Sequence, residues 1–146
     1  MGMFDSLNVS ASGMTATQMW MDVISSNLAN ADSTKSANGQ PYRRKEIELS
    51  AASPSFGEVL GGVQVDGIVD DPSPLRQVYD PGNPEANKQG YVTMPNVNPV
   101  TEMVDLISAS RGYESNVTAM NAAKQMFSKT FDESPRASGS WRLCGR

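Results

Sequence analysis

The sequence contains no histidine and only one cysteine, Cys144, close to its last residue. Without histidine the chain lacks the commonest general base and the commonest metal ligand. A lone cysteine cannot form an internal disulfide, and it provides neither a nucleophilic pair nor a zinc site. A glycine-rich phosphate-binding loop is also missing. We therefore predict a protein that is not an enzyme, with no catalytic residue, no bound metal and no cofactor.

Two acidic stretches are the remaining candidates for chemistry. Asp70 and Asp71 are neighbours in an extended stretch, so their side chains should point to opposite faces. The stretch "DPGNPEANKQG" lacks the alternating ligand positions of an EF-hand calcium loop. Both stretches are therefore interpreted as solvated turn residues.

The chain also has little positive charge and no long apolar run. Its net charge is −4, and basic residues cluster only at Arg43, Arg44 and Lys45, directly before Glu46 and Glu48. This pattern predicts a mixed-charge strand face and argues against nucleic acid as a partner. The N-terminus has no basic-then-apolar signal pattern, so we expect no cleaved signal peptide and no direct membrane insertion.

What the sequence does contain is a helical pattern at each end. Apolar and small residues alternate at three- and four-residue spacing from Phe4 to Leu28, and again after Asn98–Pro99, which is a helix start signal. We predict that two long amphipathic helices pair along these two stripes. The first stripe contains Leu7, Ala11, Met14, Gln18, Met21, Ser25 and Leu28, and the second Met103, Leu106, Ser110, Tyr113, Val117, Met120, Lys124, Phe127 and Phe131.

Apolar residues beside the stripes should stay exposed on an isolated pair of helices. They are Val9, Trp20, Ile24, Val104, Ile107 and Met126. With 38% hydrophobic residues and a mean hydropathy of −0.41, the chain should bury only a small core by itself. Periodicity alone leaves two interpretations open: a helical hairpin packed on a β domain, or a subunit that buries this surface by self-assembly.

The middle of the chain cannot be helical over any length, because six prolines lie between residues 54 and 95. Short β-like runs alternate there with turn signals. The runs are "YRRKEIEL", "GGVQVDGIV", "LRQVYD" and "GYVTM". We predict an irregular antiparallel unit of about four strands, with a bulge or a strand end at Ile68–Val69.

Three stretches resemble the flagellar axial proteins of the rod and hook. "SSNLANADSTK" (25–35) matches the signature that ends the N-terminal helix in that family, and "GQPYRRKEIEL" (39–49) continues it. The region from Val78 to Thr130, with its pattern "PNVN…EM…ASR.YE.N", is similar to the C-terminal half of a rod protein.

The resemblance implies a fold and a role. The terminal helices would form an antiparallel coiled coil lining a helical tube, with the β segment facing outward. The subunit would leave the cell through the flagellar type III export apparatus and join other rod proteins, and copies of itself, in the periplasmic rod of the basal body. The family-matching positions implied for assembly are Asn27, Asn30, Asn96, Glu102, Met103, Ser110, Arg111 and Tyr113.

Asn27 and Asn30 pose a separate question, because amides are unusual in the last turn of a helix. Asn30 is a suitable stop signal, and Asn27 could fix the register against a neighbour. The alternative is that both amides form a solvated cap.

The predicted fold is therefore mainly α with a small β domain. Residues 1–33 and 98–131 form the helical part, and residues 34–97 form the β unit. Residues 132–146 depart from the family pattern and are interpreted as a cloning scar or an altered reading frame. The competing function is a monomeric adaptor or ligand-binding module with a helical hairpin on a β core.

Overall fold

The computed structural model describes residues 3–36, 38–52 and 61–132, and it has two long helices and four strands. The predicted tail lies outside the described residues except for Asp132, which is the last residue of the second helix. The elements in chain order are α1 (Met3–Ala29), β1 (Lys45–Ala51), β2 (Val63–Asp70), β3 (Arg76–Tyr79), β4 (Tyr91–Met94) and α2 (Pro99–Asp132).

The two helices pack antiparallel. A Cβ added at Gly13 would lie 2.9 Å from the amide nitrogen of Asn116, and one added at Gly112 would lie 3.4 Å from Thr17 Cγ2. Near the other end of the pair, the Asn27 amide donates to Glu102 at 3.1 Å. Each step forward along α1 is thus matched by an equal step backward along α2.

Small residues form the closest part of this contact. Ala16 in α1 and Ala109 and Ala123 in α2 are buried, at 4%, 0% and 6% exposure. Gly13 and Gly112 leave room for side chains of the opposite helix, Asn116 and Thr17. Small side chains are thus the most deeply buried ones of the two helices, and the larger apolar side chains of the predicted stripes are mostly half-buried.

The predicted α1 stripe is half-buried, and its polar members Gln18 and Ser25 are exposed. Ile24 was predicted to be exposed and is instead 2% exposed, so that expectation was wrong. The physical reason is that α1 contacts both α2 and the sheet formed by β1 and β2, which widens its buried face. The α2 residues Val104 and Ile107 are exposed as predicted, at 56% and 54%.

A larger side chain at Gly13 should separate the helices. We expect Gly13→Ile to lower the free energy of unfolding by about 1–3 kcal/mol, because a branched side chain cannot fit beside Asn116. Gly112→Ala is the matched control: its new methyl makes an ordinary contact with Thr17, and the gain in helix propensity is up to about 1 kcal/mol. Thermal unfolding followed by circular dichroism measures both. Equal stabilities for the two variants would contradict the close approach at Gly13.

All four predicted strands are present, but they form two separate two-stranded antiparallel sheets. The predicted irregularity at Ile68–Val69 is wrong, since these residues pair in register with Ile47 and Glu46. The bulge lies earlier in β2, between Val65 and Gly67, because Leu49 pairs with Val65 and Glu48 with Gly67. The extra residue is Asp66, whose carboxylate accepts a hydrogen bond from the Ser50 hydroxyl at 2.8 Å.

Candidate functional site

Polar side chains, as well as apolar ones, fill the region where the helices meet the β segment. The largest fully buried side chains of the described residues are those of Ile24, Glu102, Asn27 and Pro95. Two of these four are polar, although buried carboxylates are rare unless they are paired. We call the group formed by Asn27, Tyr42, Arg44, Asn96 and Glu102 the polar junction.

Asn27 uses all of the hydrogen-bonding capacity of its side chain. Its amide group donates to the carbonyl of Lys45 at 2.8 Å and to Glu102 Oε2 at 3.1 Å. Its carbonyl oxygen accepts from the Lys45 backbone N–H at 2.9 Å and from the Tyr42 hydroxyl at 3.0 Å. Asn27 is 1% exposed, so it is not part of a solvated cap. It joins the end of α1 to the first residue of β1 and to the first turn of α2.

Asn30 has the simpler role of ending its helix. Its amide group donates to the carbonyl of Ser26 at 2.8 Å, and its backbone N–H donates to the same carbonyl at 3.1 Å. Its carbonyl oxygen accepts from the Ser33 hydroxyl at 3.3 Å. The two amides therefore differ: Asn30 acts within its own helix end, and Asn27 connects three elements.

Arg44 is the charged centre of the polar junction. Its Nε donates to Glu102 Oε1 at 2.5 Å, and its terminal nitrogens lie 3.8 Å from Asp71 and 3.6 Å from Asp105. Arg44 also contacts Glu46, the second residue of β1. Burial disfavours the charged guanidinium, but the hydrogen bond to Glu102 and the surrounding carboxylates outweigh it, and the pKa of Arg44 is raised.

The backbone of Arg44 connects to the segment that precedes α2. Its N–H donates to the side-chain carbonyl of Asn96 at 2.8 Å. The Arg43 guanidinium in turn donates to the carbonyls of Asp71 at 3.1 Å and Ser73 at 3.3 Å. The start of β1 is thus held by α1 through Asn27, by α2 through Glu102, and by the pre-α2 segment through Asn96.

The basic cluster at residues 43–45 therefore has two environments. Lys45, Glu46 and Glu48 are exposed, as expected of a mixed-charge strand face. Arg44 departs from that interpretation, with only 22% of its side chain exposed. Asp71, interpreted as a solvated turn residue, is also mostly covered, at 15% side-chain exposure.

Asp71 should make the fold sensitive to acid. Hydrogen bonds from the side chain and backbone of Ser73, followed by the charges of Arg44 and Arg43, hold the pKa of Asp71 below its ordinary value, against the opposing effect of burial. A carboxyl with a lowered pKa in the folded state stabilises the fold above its ordinary pKa of about 4, and this stabilisation is lost as the pH falls through the folded pKa.

We therefore expect the free energy of unfolding to fall below about pH 4, and to fall less steeply in Asp71→Asn. Urea unfolding from pH 7 to pH 3 measures the difference, with Asp70→Asn as the matched neighbouring control. Identical pH profiles for wild type and Asp71→Asn would contradict the assignment.

The positions predicted for assembly fall into three environments. Asn27, Asn96 and Glu102 meet in the polar junction. Met103, Arg111 and Phe127 are exposed on α2. The remaining positions are half-buried: Leu7, Ala11, Met14, Met21, Leu28, Asn30, Leu106, Ser110, Tyr113, Val117 and Met120.

One face of α2 carries uncovered apolar side chains. Val100, Met103, Val104 and Ile107 are 69%, 51%, 56% and 54% exposed. Their spacing places them together on one face of the first three turns of α2, and we call them the α2 stripe. The exposed charged residues Arg111 and Glu114 follow on the same side of the helix.

Two kinds of site are not found within the part of the chain that the structure describes. No three histidine, cysteine, aspartate or glutamate side chains are grouped so that they could hold a metal ion. Neither described helix is long and apolar enough to span a membrane.

Comparisons with known proteins match both helical ends and most of the chain. The family described as "Flagella basal body rod protein" matches residues 7–35, and "Flagellar basal body rod FlgEFG protein C-terminal" matches residues 88–132. The flagellar basal-body rod protein FlgC of Bacillus subtilis (strain 168) is 50% identical over 144 residues, covering 88% of this chain and 96% of its own. This chain belongs to the FlgC family of flagellar basal-body rod proteins.

Other members of the FlgC family match to a similar extent. The protein from Yersinia enterocolitica is 44% identical over 130 residues, covering 89% of this chain and 96% of its own. The protein from Borreliella burgdorferi (strain B31) is 43% identical over 143 residues, covering 87% and 94%. The similarity to rod proteins inferred from the sequence motifs is thus confirmed.

The two matched family segments and the polar junction overlap only in part. Asn27 lies in the first matched segment, and Asn96 and Glu102 lie in the second. Tyr42 and Arg44 lie between them, and the sequence analysis missed both as junction residues. One signal was available: Asn27 and Glu102 are polar residues on buried helix faces and need partners, and the chain's only cluster of basic residues is at 43–45.

Proposed function

We propose that this chain is a structural subunit of the flagellar basal-body rod that works by assembling with other rod proteins, and with copies of itself, into a helical tube. Membership of the FlgC family supports this role, and such rod proteins are not enzymes. In the proposed tube, the subunit transmits torque as part of the drive shaft and helps to enclose the export channel.

The α2 stripe is the observation that carries the assembly step. Four adjacent aliphatic side chains are more than half exposed in the single chain. Burying each of them stabilises a contact by up to roughly 1.5–3 kcal/mol, so a neighbouring subunit gains by covering them. In the tube, α1 and α2 act as a coiled-coil unit, formed by residues 1–33 and 98–131, and residues 34–97 face outward.

The predicted assembly positions divide into two roles under this proposal. Half-buried residues such as Leu28 and Val117 shape the helical pair, and exposed residues such as Met103 and Phe127 meet neighbours. The subunit reaches the periplasmic rod through the flagellar type III export apparatus.

Complementation of a Bacillus subtilis strain that lacks its own FlgC tests the proposal. Wild type should appear in purified basal bodies and restore swimming. Met103→Lys should be exported but excluded from the rod, because a buried lysine on the α2 stripe has no partner charge. Leu28→Lys and Val117→Lys should also block incorporation.

Thr101→Lys is the matched control, since it places the same charge in the same helical turn but outside the α2 stripe. It should assemble as wild type does. Normal swimming with each of Met103→Lys, Leu28→Lys and Val117→Lys would contradict the assembly role. Absence of the wild-type chain from purified basal bodies would also contradict it.

A further inference from the structure

A groove lined by residues outside the α2 stripe is suited to receive that stripe. The groove has a volume of about 390 Å³ and runs between α1 and β2. Val23 is buried at 6% exposure, and Ile68 is 49% exposed along the groove. Met19, Asp22, Ser26 and Lys45 complete its lining. None of the stripe residues belongs to it.

The chemistry of the two surfaces is complementary. The α2 stripe is a row of aliphatic side chains followed by the exposed charges of Arg111 and Glu114. The groove has aliphatic side chains with the exposed charges of Asp22 and Lys45 beside them. Apolar surface can thus meet apolar surface while each charge at the margin finds one of opposite sign, which favours a single orientation.

The exposed area of the α2 stripe indicates that this contact would be stable only within a larger assembly. Four half-exposed aliphatic side chains offer on the order of 300–400 Å² of surface, about half of the roughly 800 Å² per partner in a standard stable interface. One contact of this kind is too small for a stable dimer in solution. Repeated along a filament, it is reinforced by the other contacts that each subunit makes.

We propose that the α2 stripe of one copy docks into the α1–β2 groove of a second copy of this chain. The inference rests on the proposed function and specifies its contact. Because the two surfaces differ, the contact is heterologous: each copy donates one surface and accepts on the other. Such contacts build open helical arrays or rings, whereas a self-complementary patch closes a two-fold dimer.

Cysteine cross-linking in the rod tests this contact. One copy carries Ile107→Cys and a second carries Ile68→Cys, both with Cys144→Ser, and they are expressed together in the strain without its own FlgC. Mild oxidation of purified basal bodies should give a 68–107 disulfide dimer about tenfold above the control, because assembly raises the local concentration of the pair. The control replaces Ile107→Cys with Ser108→Cys, which is exposed beside the stripe.

Two results would overturn the docking alone. One is wild-type incorporation with no 68–107 dimer above the Ser108→Cys control. The other is a disulfide between two Ile107→Cys copies at an equal or higher level, which would indicate a self-complementary stripe. Loss of wild-type chain from basal bodies would instead overturn the proposed function.

A second measurement keeps the docking testable in that last case. Purified chains carrying the same substitutions are oxidised at high concentration, where the 68–107 dimer should again exceed the Ser108→Cys control. A separate variant of the chain carries Ile107→Lys and no cysteine substitution. Its circular dichroism spectrum should match that of wild type, because Ile107 is 54% exposed. Ile107→Lys should also abolish incorporation into rods, whereas Ser108→Lys should be incorporated normally. Equal incorporation of the two lysine variants would overturn the docking.

Discussion

Replacing Arg44 by methionine should lower the free energy of unfolding by about 3–5 kcal/mol, because it leaves a buried carboxylate without its counter-charge. Glu102 is 1% exposed at its side chain and receives its charged hydrogen bond from Arg44. Asp71 and Asp105 lie close to the same guanidinium, so their mutual repulsion would also rise. A loss of this size is a large share of the roughly 5–15 kcal/mol that stabilises a typical domain.

Two further variants separate the buried ion pair from a general loss of packing. The double variant Arg44→Met/Glu102→Leu should recover part of the lost stability, since it removes the unpaired carboxylate but also takes one acceptor from the Asn27 amide. Lys45→Met changes the residue that follows Arg44, whose side chain is exposed, and should stay within about 0.5 kcal/mol of wild type. Urea unfolding followed by circular dichroism measures all three. If Arg44→Met and Lys45→Met were equally stable, the ion pair would not stabilise the fold.

Asn27→Asp should lower the free energy of unfolding to a similar extent, although the two side chains have almost the same shape. The Asn27 amide donates to the Lys45 carbonyl and to Glu102, and a carboxylate oxygen in its place would face two acceptors. A new negative charge at a position that is 1% exposed would also lie beside a buried carboxylate. We expect a loss of about 3 kcal/mol or more at pH 7.

Asn30→Asp is the matched control for this change. Asn30 is half-buried and bonds only near its own helix end, so the same substitution should cost about 1 kcal/mol from the lost hydrogen bond and the unfavourable helix-end charge. The penalty at position 27 should shrink toward pH 4, since a protonated carboxyl can donate one of the missing hydrogen bonds. Equal losses at the two positions would contradict the assigned role of Asn27.

Local signals in the sequence predicted the elements correctly. The helix start at Asn98–Pro99 is observed: α2 begins at Pro99, and the Asn98 side chain accepts the N–H of Val100 at 3.1 Å. Strands were predicted from alternating runs bounded by turn signals, and each run overlaps one observed strand. Such signals involve only a few neighbouring residues, so they can be recognised in a single amino-acid sequence.

Long-range pairing could not be predicted in the same way. Arg44 and Glu102 are 58 positions apart, and nothing in the residues around Arg44 distinguishes it from Lys45. Three-and-four spacing placed an apolar stripe on each helix, but it could not determine that α1 packs on a sheet as well as on α2. Ile24 was therefore assigned to the surface although it belongs to the core.

The hydrogen bonds of the polar junction have a consequence for which segments of this chain can be replaced. The chain leaves α1 beside Asn27 and re-enters α2 after Asn96, and these two amides hold the backbone of adjacent residues, Lys45 and Arg44. The segment between them is also attached further out. The Val63 N–H donates to the Ser12 hydroxyl of α1 at 3.1 Å, and Glu85 in the 80–90 loop pairs with Lys35 at 2.9 Å. We therefore expect that a foreign β segment could replace this one only if it kept the amide-bonded base and both of these outer attachments.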